Sequence, residues 1–287
     1  MDYPFYNQIK AFAQNARGSK LKVAQFLLEH TQDAAFMTVG DVAARIDVSP
    51  GTVSRVAQAM GFQGFPDIQE RIRQVILSTI APAARMEMAK IDSFDWNQSL
   101  KLDMENLRST LVRNPIENLN NAAGFLENSP AVHVMGTRSS LSLAYFLAFN
   151  LGQIRDGVWL VEPKLGQFTE AIRTFRKGNL FVAVGLPRYQ RDTVVLTEEA
   201  RKRGCQIIAI TDSVFSPLAK LSDLALLASC SSLSYFNSYV AAFGIVNGLL
   251  TQVALRFKSK SSGILEASNQ LHGQFNTFFD DQEDGNV

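Results

Sequence analysis

The sequence predicts an α/β protein, in which an N-terminal all-α helix-turn-helix domain precedes a doubly wound α/β sandwich with a parallel sheet. Residues up to about Ile80 have the pattern of helices joined by short turns. From Ala131 the pattern changes, and short β-branched apolar runs alternate with helical stretches. This alternation predicts right-handed βαβ units, whose parallel sheet is covered by helices on both faces. The predicted strands are 131–135, 158–161, 180–184, 206–210 and 224–227.

Composition excludes several classes of protein. The 287 residues include 28 Lys and Arg against 27 Asp and Glu, and 46% are hydrophobic, which excludes global disorder and a polyelectrolyte. The two cysteines make no disulfide framework and fit a reducing compartment. The N-terminus lacks the features of a signal peptide, and the apolar stretch Val240–Leu255 predicts a buried helix, since it is shorter than the ~20 residues of a membrane span. We therefore expect a soluble, cytoplasmic protein with no membrane partner.

The same patterns predict three segments. Residues 1–80 form the helix-turn-helix domain, 81–115 form a helical linker, and 116–287 form the α/β domain. A helix is predicted over 104–112 in the linker, and Pro115 opens the next helix. The last ~30 residues are predicted to be helical or frayed, with a disordered acidic tip.

Residues 37–61 carry the helix-turn-helix pattern. Thr38 and Asp41 form a capping box for the first helix. Ser49 caps the second helix, Pro50 occupies its first position, and Gly61 ends it. Both helices show an apolar face at positions i, i+3, i+4 and i+7: Val39, Val42, Ala43 and Ile46 in the first, and Val53, Val56, Ala57 and Met60 in the second.

The outward face of the second helix favours DNA recognition. Small residues at its start allow close approach to the groove, Arg55 suits guanine, and Gln58 suits adenine. The alternative is an ordinary helical hairpin with a solvated face. Residues 1–80 hold eight Lys and Arg against seven Asp and Glu, so binding should depend on the two half-sites of an oligomer. The predicted DNA-binding residues are Thr38, Ser49, Pro50, Gly51, Thr52, Ser54, Arg55 and Gln58.

The segment TVGDVAARIDVSPGTVSRVAQAMGFQGFPDIQERI resembles the N-terminal domain of the RpiR family of bacterial transcriptional regulators. Its most specific part is the run GFQGF directly after the second helix, in which Phe62 and Phe65 should pack on the helical core. The resemblance implies transcription regulation and a double-stranded DNA operator as partner.

Members of this family carry a C-terminal sugar-isomerase (SIS) domain that binds phosphosugars. The segment 136–140 resembles the family's Gly-x-x-Ser-Ser loop, and the segments 210–212 and 216–219 resemble its Ile-Thr-x and Ser-Pro-Leu-Ala motifs. In such sheets ligands bind at the carboxyl ends of the strands. The loop is expected to hold an anion with hydroxyl and N–H groups after a glycine turn. The alternative is a simple strand-to-helix turn capped by Ser139.

The loop after the third predicted strand departs from the family pattern. SIS domains usually have a cluster of hydroxyl residues there, whereas this chain has GLPRYQRDT over residues 185–193. Its arginines suit a carboxylate or a phosphate, although they also fit a solvated surface or a subunit contact. We therefore predict a small anionic effector, either a phosphosugar or a sugar acid. The predicted effector-binding residues are Gly136, Arg138, Ser139, Ser140, Gly185, Arg188, Tyr189, Arg191 and Thr193.

Residues 229–234 either line the same site or form a flexible polar loop. Tyr235, Asn237 and Ser238 are predicted to begin the next helix, where they could supply hydrogen bonds to a ligand.

No catalytic residue, metal site or cofactor is predicted. The three histidines lie far apart, and the sequence has no P-loop and no Gly-x-Gly-x-x-Gly. An isomerase needs a base, and only Asp192 and Asp212 lie near the predicted loops. The sequence thus favours a ligand-sensing regulator that acts as a homodimer or homotetramer. The alternatives are a sugar-phosphate isomerase with an accessory helical domain and a ligand-binding oligomerisation module.

Overall fold

A computed structural model describes residues 4–35, 37–79, 83, 86, 95–162 and 168–277. Its contacts divide the chain into two compact units, with the division between Ala84 and Arg85. Each unit has its own hydrophobic core.

The first unit is all-helical, as predicted. Its core gathers the apolar faces of both predicted helices, and Phe62 and Phe65 are buried in it. The described helices are α1 (Pro4–Asn15), α2 (Ser19–Glu29), α3 (Thr31–Ala34), α4 (Val39–Arg45), α5 (Pro50–Ala59) and α6 (Phe65–Thr79).

The second unit is an α/β sandwich with five parallel strands in the order β2-β1-β3-β4-β5. All five predicted strands are present within one residue of their predicted bounds. The elements are α7 (Trp96–Arg113), α8 (Ile116–Asn128), β1 (Val132–Gly136), α9 (Ser139–Gly152), β2 (Val158–Val161), α10 (Phe168–Thr174), β3 (Leu180–Val184), α11 (Arg191–Lys202), β4 (Gln206–Thr211), α12 (Pro217–Leu221), β5 (Leu224–Leu227), α13 (Val240–Arg256) and α14 (Lys258–Gln274).

Helices cover both faces of this sheet, which confirms the predicted fold class. Alternate side chains of the central strands enter two cores, because successive residues of a strand point to opposite faces. One core packs the sheet against α8, α9 and α13, and the other packs it against α11 and α12. The predicted apolar helix is α13, and its inward face is buried.

The predicted linker 81–115 does not match this division. Helix α7 occupies most of its second half and belongs to the second unit, where it packs on α13. Two of its polar side chains, Asn106 and Thr110, are buried against the chain that follows β5, and its C-cap residue Asn114 is buried against the last residue of β5. Polar residues on a helix face usually indicate solvent, and this sequence pattern therefore suggested a linker.

Within the described ranges, no single helix is both long enough and apolar enough to cross a membrane; Val240–Arg256 and Ser261–Gln274 reach that length and apolar composition only when taken together, across a bend of 106°. In the same part of the chain, no three His, Cys, Asp or Glu side chains form a group that could hold a metal ion.

Candidate functional site

The helix-turn-helix has the predicted caps. Thr38 and Asp41 form a capping box at the start of α4, in which the Thr38 hydroxyl donates to Asp41 Oδ2 at 2.7 Å. Hydrogen bonds from the Thr38 hydroxyl and N–H lower the pKa of Asp41. Ser49 Oγ accepts the Thr52 N–H at 3.2 Å and lies 2.8 Å from Thr52 Oγ1. Three of the predicted DNA-binding hydroxyls therefore already take part in helix caps.

The outward face of α5 presents the remaining predicted residues. Pro50, Gly51, Arg55 and Gln58 are exposed, and Ser54 is half-buried. Arg55 and Gln58 are one turn apart on this face, since residues at i and i+3 are neighbours on a helix. The face thus combines a small N-terminal end with two long side chains that can form paired hydrogen bonds.

The two predicted effector loops meet at one point of the sheet. The strand order places β1 and β3 side by side, and the chain leaves them in opposite directions along the sheet. Such a topological switch point opens a crevice at the carboxyl ends of the strands, where α/β proteins bind their ligands. Residues 136–140 start at the last residue of β1 and residues 185–193 follow β3, so both loops border that crevice.

Gly136 is required by close packing against backbone, whereas a Cβ at Gly185 would meet the movable end of a leucine side chain. A Cβ on Gly136 would lie 2.4 Å from the Ser140 carbonyl oxygen, and one on Gly185 would lie 2.6 Å from Leu218 Cδ1. The turn between β1 and α9 instead depends on Arg138, which has a φ of 52° and occupies the N-cap position. The expected glycine turn and the alternative of a Ser139 cap are therefore both wrong: Gly136 gives space, and Ser139 is the first residue of α9.

Hydroxyl contacts join the two loops to each other and to the end of the 229–239 segment. Thr137 Oγ1 and Thr193 Oγ1 share a hydrogen bond of 3.1 Å. Ser140 Oγ lies 2.9 Å from Tyr239 Oη, and burial raises the pKa of this tyrosine. These contacts hold the base of the crevice together.

The charged residues of the two loops lie at the surface. Arg138 and Ser139 are exposed on the first loop, and Arg188 and Arg191 are exposed on the second. Three exposed arginines thus belong to the two loops that the Thr137–Thr193 contact joins. This arrangement suits an anion, because arginine presents paired donors to phosphate or carboxylate.

Tyr189 of the second effector loop binds Asp212, which follows β4. Tyr189 Oη donates to Asp212 Oδ1 at 2.7 Å, and Asp212 is buried. The main-chain oxygen of Asp212 accepts Arg113 Nη2 of α7 at 2.6 Å. The structure therefore links the second effector loop to α7 through one acidic residue.

The segment after β5 reaches the same crevice, but it does so before the helix begins. Helix α13 starts at Val240, so the prediction that Tyr235, Asn237 and Ser238 begin it is wrong. Asn237 Nδ2 donates to the carbonyl oxygen of Pro187, whereas the Ser238 hydroxyl donates to Asp103 of α7. Asn237 therefore contacts the main chain next to Arg188 in the second effector loop.

Sequence reasoning missed Arg113 and Tyr239 as neighbours of the site. Both contacts join residues about a hundred positions apart, and no local spacing indicates them. The one available signal was the polar spacing of Asn106, Thr110 and Asn114 along α7, which is the pattern of a polar helix face.

Two family models match the chain in the predicted order. A helix-turn-helix domain of the rpiR family matches residues 5–78, and a SIS domain matches residues 125–252. The chain is 22% identical over 272 residues to an HTH-type transcriptional regulator of Caldanaerobacter subterraneus, covering 92% of this chain and 95% of that protein. It is 23% identical over 227 residues to the HTH-type transcriptional regulator HexR of Pseudomonas aeruginosa, covering 76% of each.

Two solved structures share the fold. The sugar isomerase domain of an RpiR transcription factor from Sphaerobacter thermophilus has a TM-score of 0.58 and 28% identity, covering 60% of this chain and 97% of that one. The NanR protein of Vibrio vulnificus, solved with ManNAc-6P, has a TM-score of 0.58 and 19% identity, covering 94% of this chain and 98% of that one. With an rpiR-type helix-turn-helix, a SIS domain and regulators as relatives over most of its length, this chain belongs to the RpiR family of transcriptional regulators.

Proposed function

We propose that the chain is a DNA-binding regulator whose SIS domain senses a small sugar-derived anion, a phosphosugar or a sugar acid, and thereby changes its affinity for an operator. The observation that carries this proposal is the Thr137–Thr193 contact, which joins two arginine-bearing loops at the switch point of the sheet.

Helix α5 is the proposed reading element. Its exposed Arg55 and Gln58 match guanine and adenine in the major groove, and its small first turn admits the phosphate backbone. The hydroxyls of Thr38, Ser49 and Thr52 serve the caps, so we assign them a supporting part: they fix the start of each helix and leave base contacts to the exposed residues.

The crevice between β1 and β3 is the proposed effector site. Arg138, Arg188 and Arg191 supply the positive charge, and exposed Ser139 adds a hydroxyl and a helix N-terminal N–H. The relative NanR was solved with ManNAc-6P, a sugar phosphate, which supports this class of ligand. Gly136 and Gly185 shape the crevice, and Ser140, Tyr189 and Thr193 hold its walls through their hydroxyls.

We infer sensing rather than catalysis at this site. Of the two carboxylates near the loops, Asp212 is buried and accepts the Tyr189 hydroxyl, and Asp192 lies exposed in the first turn of α11. Asp212 is therefore engaged in a hydrogen bond, and Asp192 complements the helix dipole as a first-turn acid. The curated relatives named above are regulators, which supports the same inference.

A homo-oligomer is the proposed binding form. Helix α7 exposes Leu100, Met104, Leu107 and Leu111, and their spacing of four, three and four residues is that of a coiled-coil seam. A cavity of about 270 Å³ adjoins this seam between α7, α8 and α13. A second copy would cover the seam and bring two reading helices to the half-sites of a two-fold operator.

The test is a selection from random duplexes at about 150 mM salt, since affinity and specificity depend on salt. The wild type should enrich a two-fold site, and Arg55→Ala should lose discrimination by about 1–3 kcal/mol at one base pair of each half-site. Arg108→Ala is the matched control, because it removes the same charge from an exposed arginine of α7.

The selected site then serves to screen effectors. ManNAc-6P, other hexose 6-phosphates, sugar acids and inorganic phosphate should be titrated against the operator complex, and every sugar phosphate should be assayed for turnover. A sugar anion that changes operator affinity without turnover is the expected result. If no sequence is enriched, the regulator proposal fails, and if a sugar phosphate is turned over, the site is an isomerase site.

A further inference from the structure

The C-terminal end of α7 is connected to the effector crevice through a short series of hydrogen bonds. Tyr189 Oη, at the wall of the crevice, donates to the carboxylate of Asp212. The main-chain oxygen of the same residue accepts Arg113 Nη2, and Arg113 Nη1 donates to Ser229 Oγ at 3.4 Å. One guanidinium therefore joins the ends of β4 and β5 to the last turn of α7.

Helix α7 is rigidly placed along its length. Asn106 Nδ2 donates to the Ser231 carbonyl at 2.8 Å, and the Ser229 N–H donates to Thr110 Oγ1 at 2.9 Å. These bonds hold α7 at several points to the chain that follows β5. Among the elements given above, α7 is the first of the second unit.

We propose that Arg113 couples the effector crevice to α7, and that it does so through Asp212 and Tyr189. The inference rests on the proposed function, since it concerns the regulation of the same site. An anion held by Arg188 changes the position of its neighbour Tyr189 and thereby the strength of the Tyr189–Asp212 bond. The position of the Asp212 carbonyl then becomes more or less fixed, and with it the strength of its hydrogen bond from Arg113. As a result, the last turns of α7 become more or less stable.

Arg113 is a positioning residue in this proposal, because its bonds to the crevice pass through Asp212. Its guanidinium makes two separate bonds, one to Asp212 and one to Ser229. A lysine keeps the charge but offers a single nitrogen, so it cannot reproduce the fork. The arginine fork is thus what joins the two strand ends to the helix.

The deciding experiment is amide hydrogen exchange on the full chain without DNA or effector. Tyr189→Phe removes one hydroxyl and should raise exchange over residues 106–113 by about threefold or more, because local opening follows the loss of local bonds. In an Arg113→Met background the same change should add less than about 1.5-fold, since the coupling residue is absent. Tyr145→Phe is the matched control: it removes the hydroxyl of an exposed tyrosine on α9 and should leave α7 unchanged.

Two results would overturn the proposal: unchanged exchange in α7 for Tyr189→Phe, or an effect of equal size with and without Arg113. If Arg113→Met does not fold, Arg113→Lys replaces it, and the effect of Tyr189→Phe should again shrink. This experiment needs neither operator nor ligand. A failed DNA selection would therefore overturn the proposed function, whereas the coupling through Arg113 would still be tested by hydrogen exchange.

Once an operator is known, the same cycle applies to DNA binding. Tyr189→Phe should change operator affinity by about fivefold, within the range of allosteric coupling, and Arg113→Met should abolish that change. Equal changes in both backgrounds would argue that the crevice acts on DNA by another route.

Discussion

Asn114 takes the place of a strand neighbour for Leu227. The Leu227 N–H donates to Asn114 Oδ1 at 2.8 Å, and Asn114 Nδ2 donates to the Leu227 carbonyl at 2.8 Å. Asn106 makes the same pair of bonds with Ser231. Four residues of helix rise about 6 Å and two residues of strand about 6.6 Å, so the side chains of α7 match alternate residues of the extended chain. Helix α7 thus closes the free edge at β5.

The first prediction concerns this edge. Asn114→Ala removes both bonds to Leu227 and one to the Thr110 carbonyl, and it leaves buried backbone groups without partners. We expect a loss of about 2–4 kcal/mol in the free energy of unfolding, measured by urea titration. Asn128→Ala is the control. The amide of Asn128 is exposed and donates a single hydrogen bond, to the carbonyl of Gly124 in the same helix. Equal losses in both variants would contradict the role of Asn114.

The strands could be predicted because each one leaves a local record in the sequence. Runs such as 180–184 are short, apolar and β-branched, and they are buried on both faces as a central parallel strand requires. The caps at Thr38 and Ser49 are equally local, since each involves residues three positions apart. The number of strands and the starts of the two helices of the helix-turn-helix can therefore be predicted from such local patterns.

The base of the crevice could be predicted only in part. Its two loops follow predicted strands, so their meeting at the switch point follows from the strand order. The bonds from Tyr189 to Asp212 and from Asp212 to Arg113 depend on tertiary packing, and α7 was interpreted as a linker because its polar face suggests solvent. Spacing alone does not distinguish polar side chains that hydrogen-bond buried main-chain groups from polar side chains that face solvent.

The second prediction tests the space at Gly136. Gly136→Ala would place a methyl group 2.4 Å from a backbone oxygen of α9, so the start of that helix must shift. We expect a loss of about 1–3 kcal/mol in unfolding free energy, because overpacking against backbone has no cheap relief. Gly152→Ala, at the other end of α9, meets nothing within 4 Å and should be neutral or stabilise by up to about 1 kcal/mol. Urea titration of both variants gives the comparison, and a neutral Gly136→Ala would refute the packing argument.

The third prediction concerns pH. His133 is buried in β1, and burial lowers the pKa of its imidazole below the ordinary value of about 6.5. Its Nε2 accepts a hydrogen bond from Asn179 Nδ2 at 3.2 Å. Protonation of Nε2 would turn this nitrogen into a donor that faces the amide donor of Asn179. The unfolded chain therefore binds more protons below pH 6.5, and stability should be complete above that pH and fall as the pH decreases towards the folded pKa.

The measurement is the free energy of unfolding as a function of pH for wild type and His133→Gln. The glutamine does not titrate, so this part of the pH dependence should disappear. An unchanged slope in His133→Gln would assign the pH dependence to other groups.

The fourth prediction separates capping from DNA reading at Ser49. Replacing an N-cap serine by alanine costs about 1 kcal/mol, whereas glycine costs only a few tenths, because glycine adopts the cap conformation readily. If Ser49 acts through the cap, Ser49→Ala should lower the stability of α5 and operator affinity, and Ser49→Gly should leave both near the wild type. Far-UV circular dichroism reports the unfolding of the helices in both units. Tryptophan fluorescence reports the unfolding of the second unit alone, because that unit holds Trp96 and Trp159. A hydroxyl that contacts DNA would instead make both variants lose operator affinity equally, since both lack it.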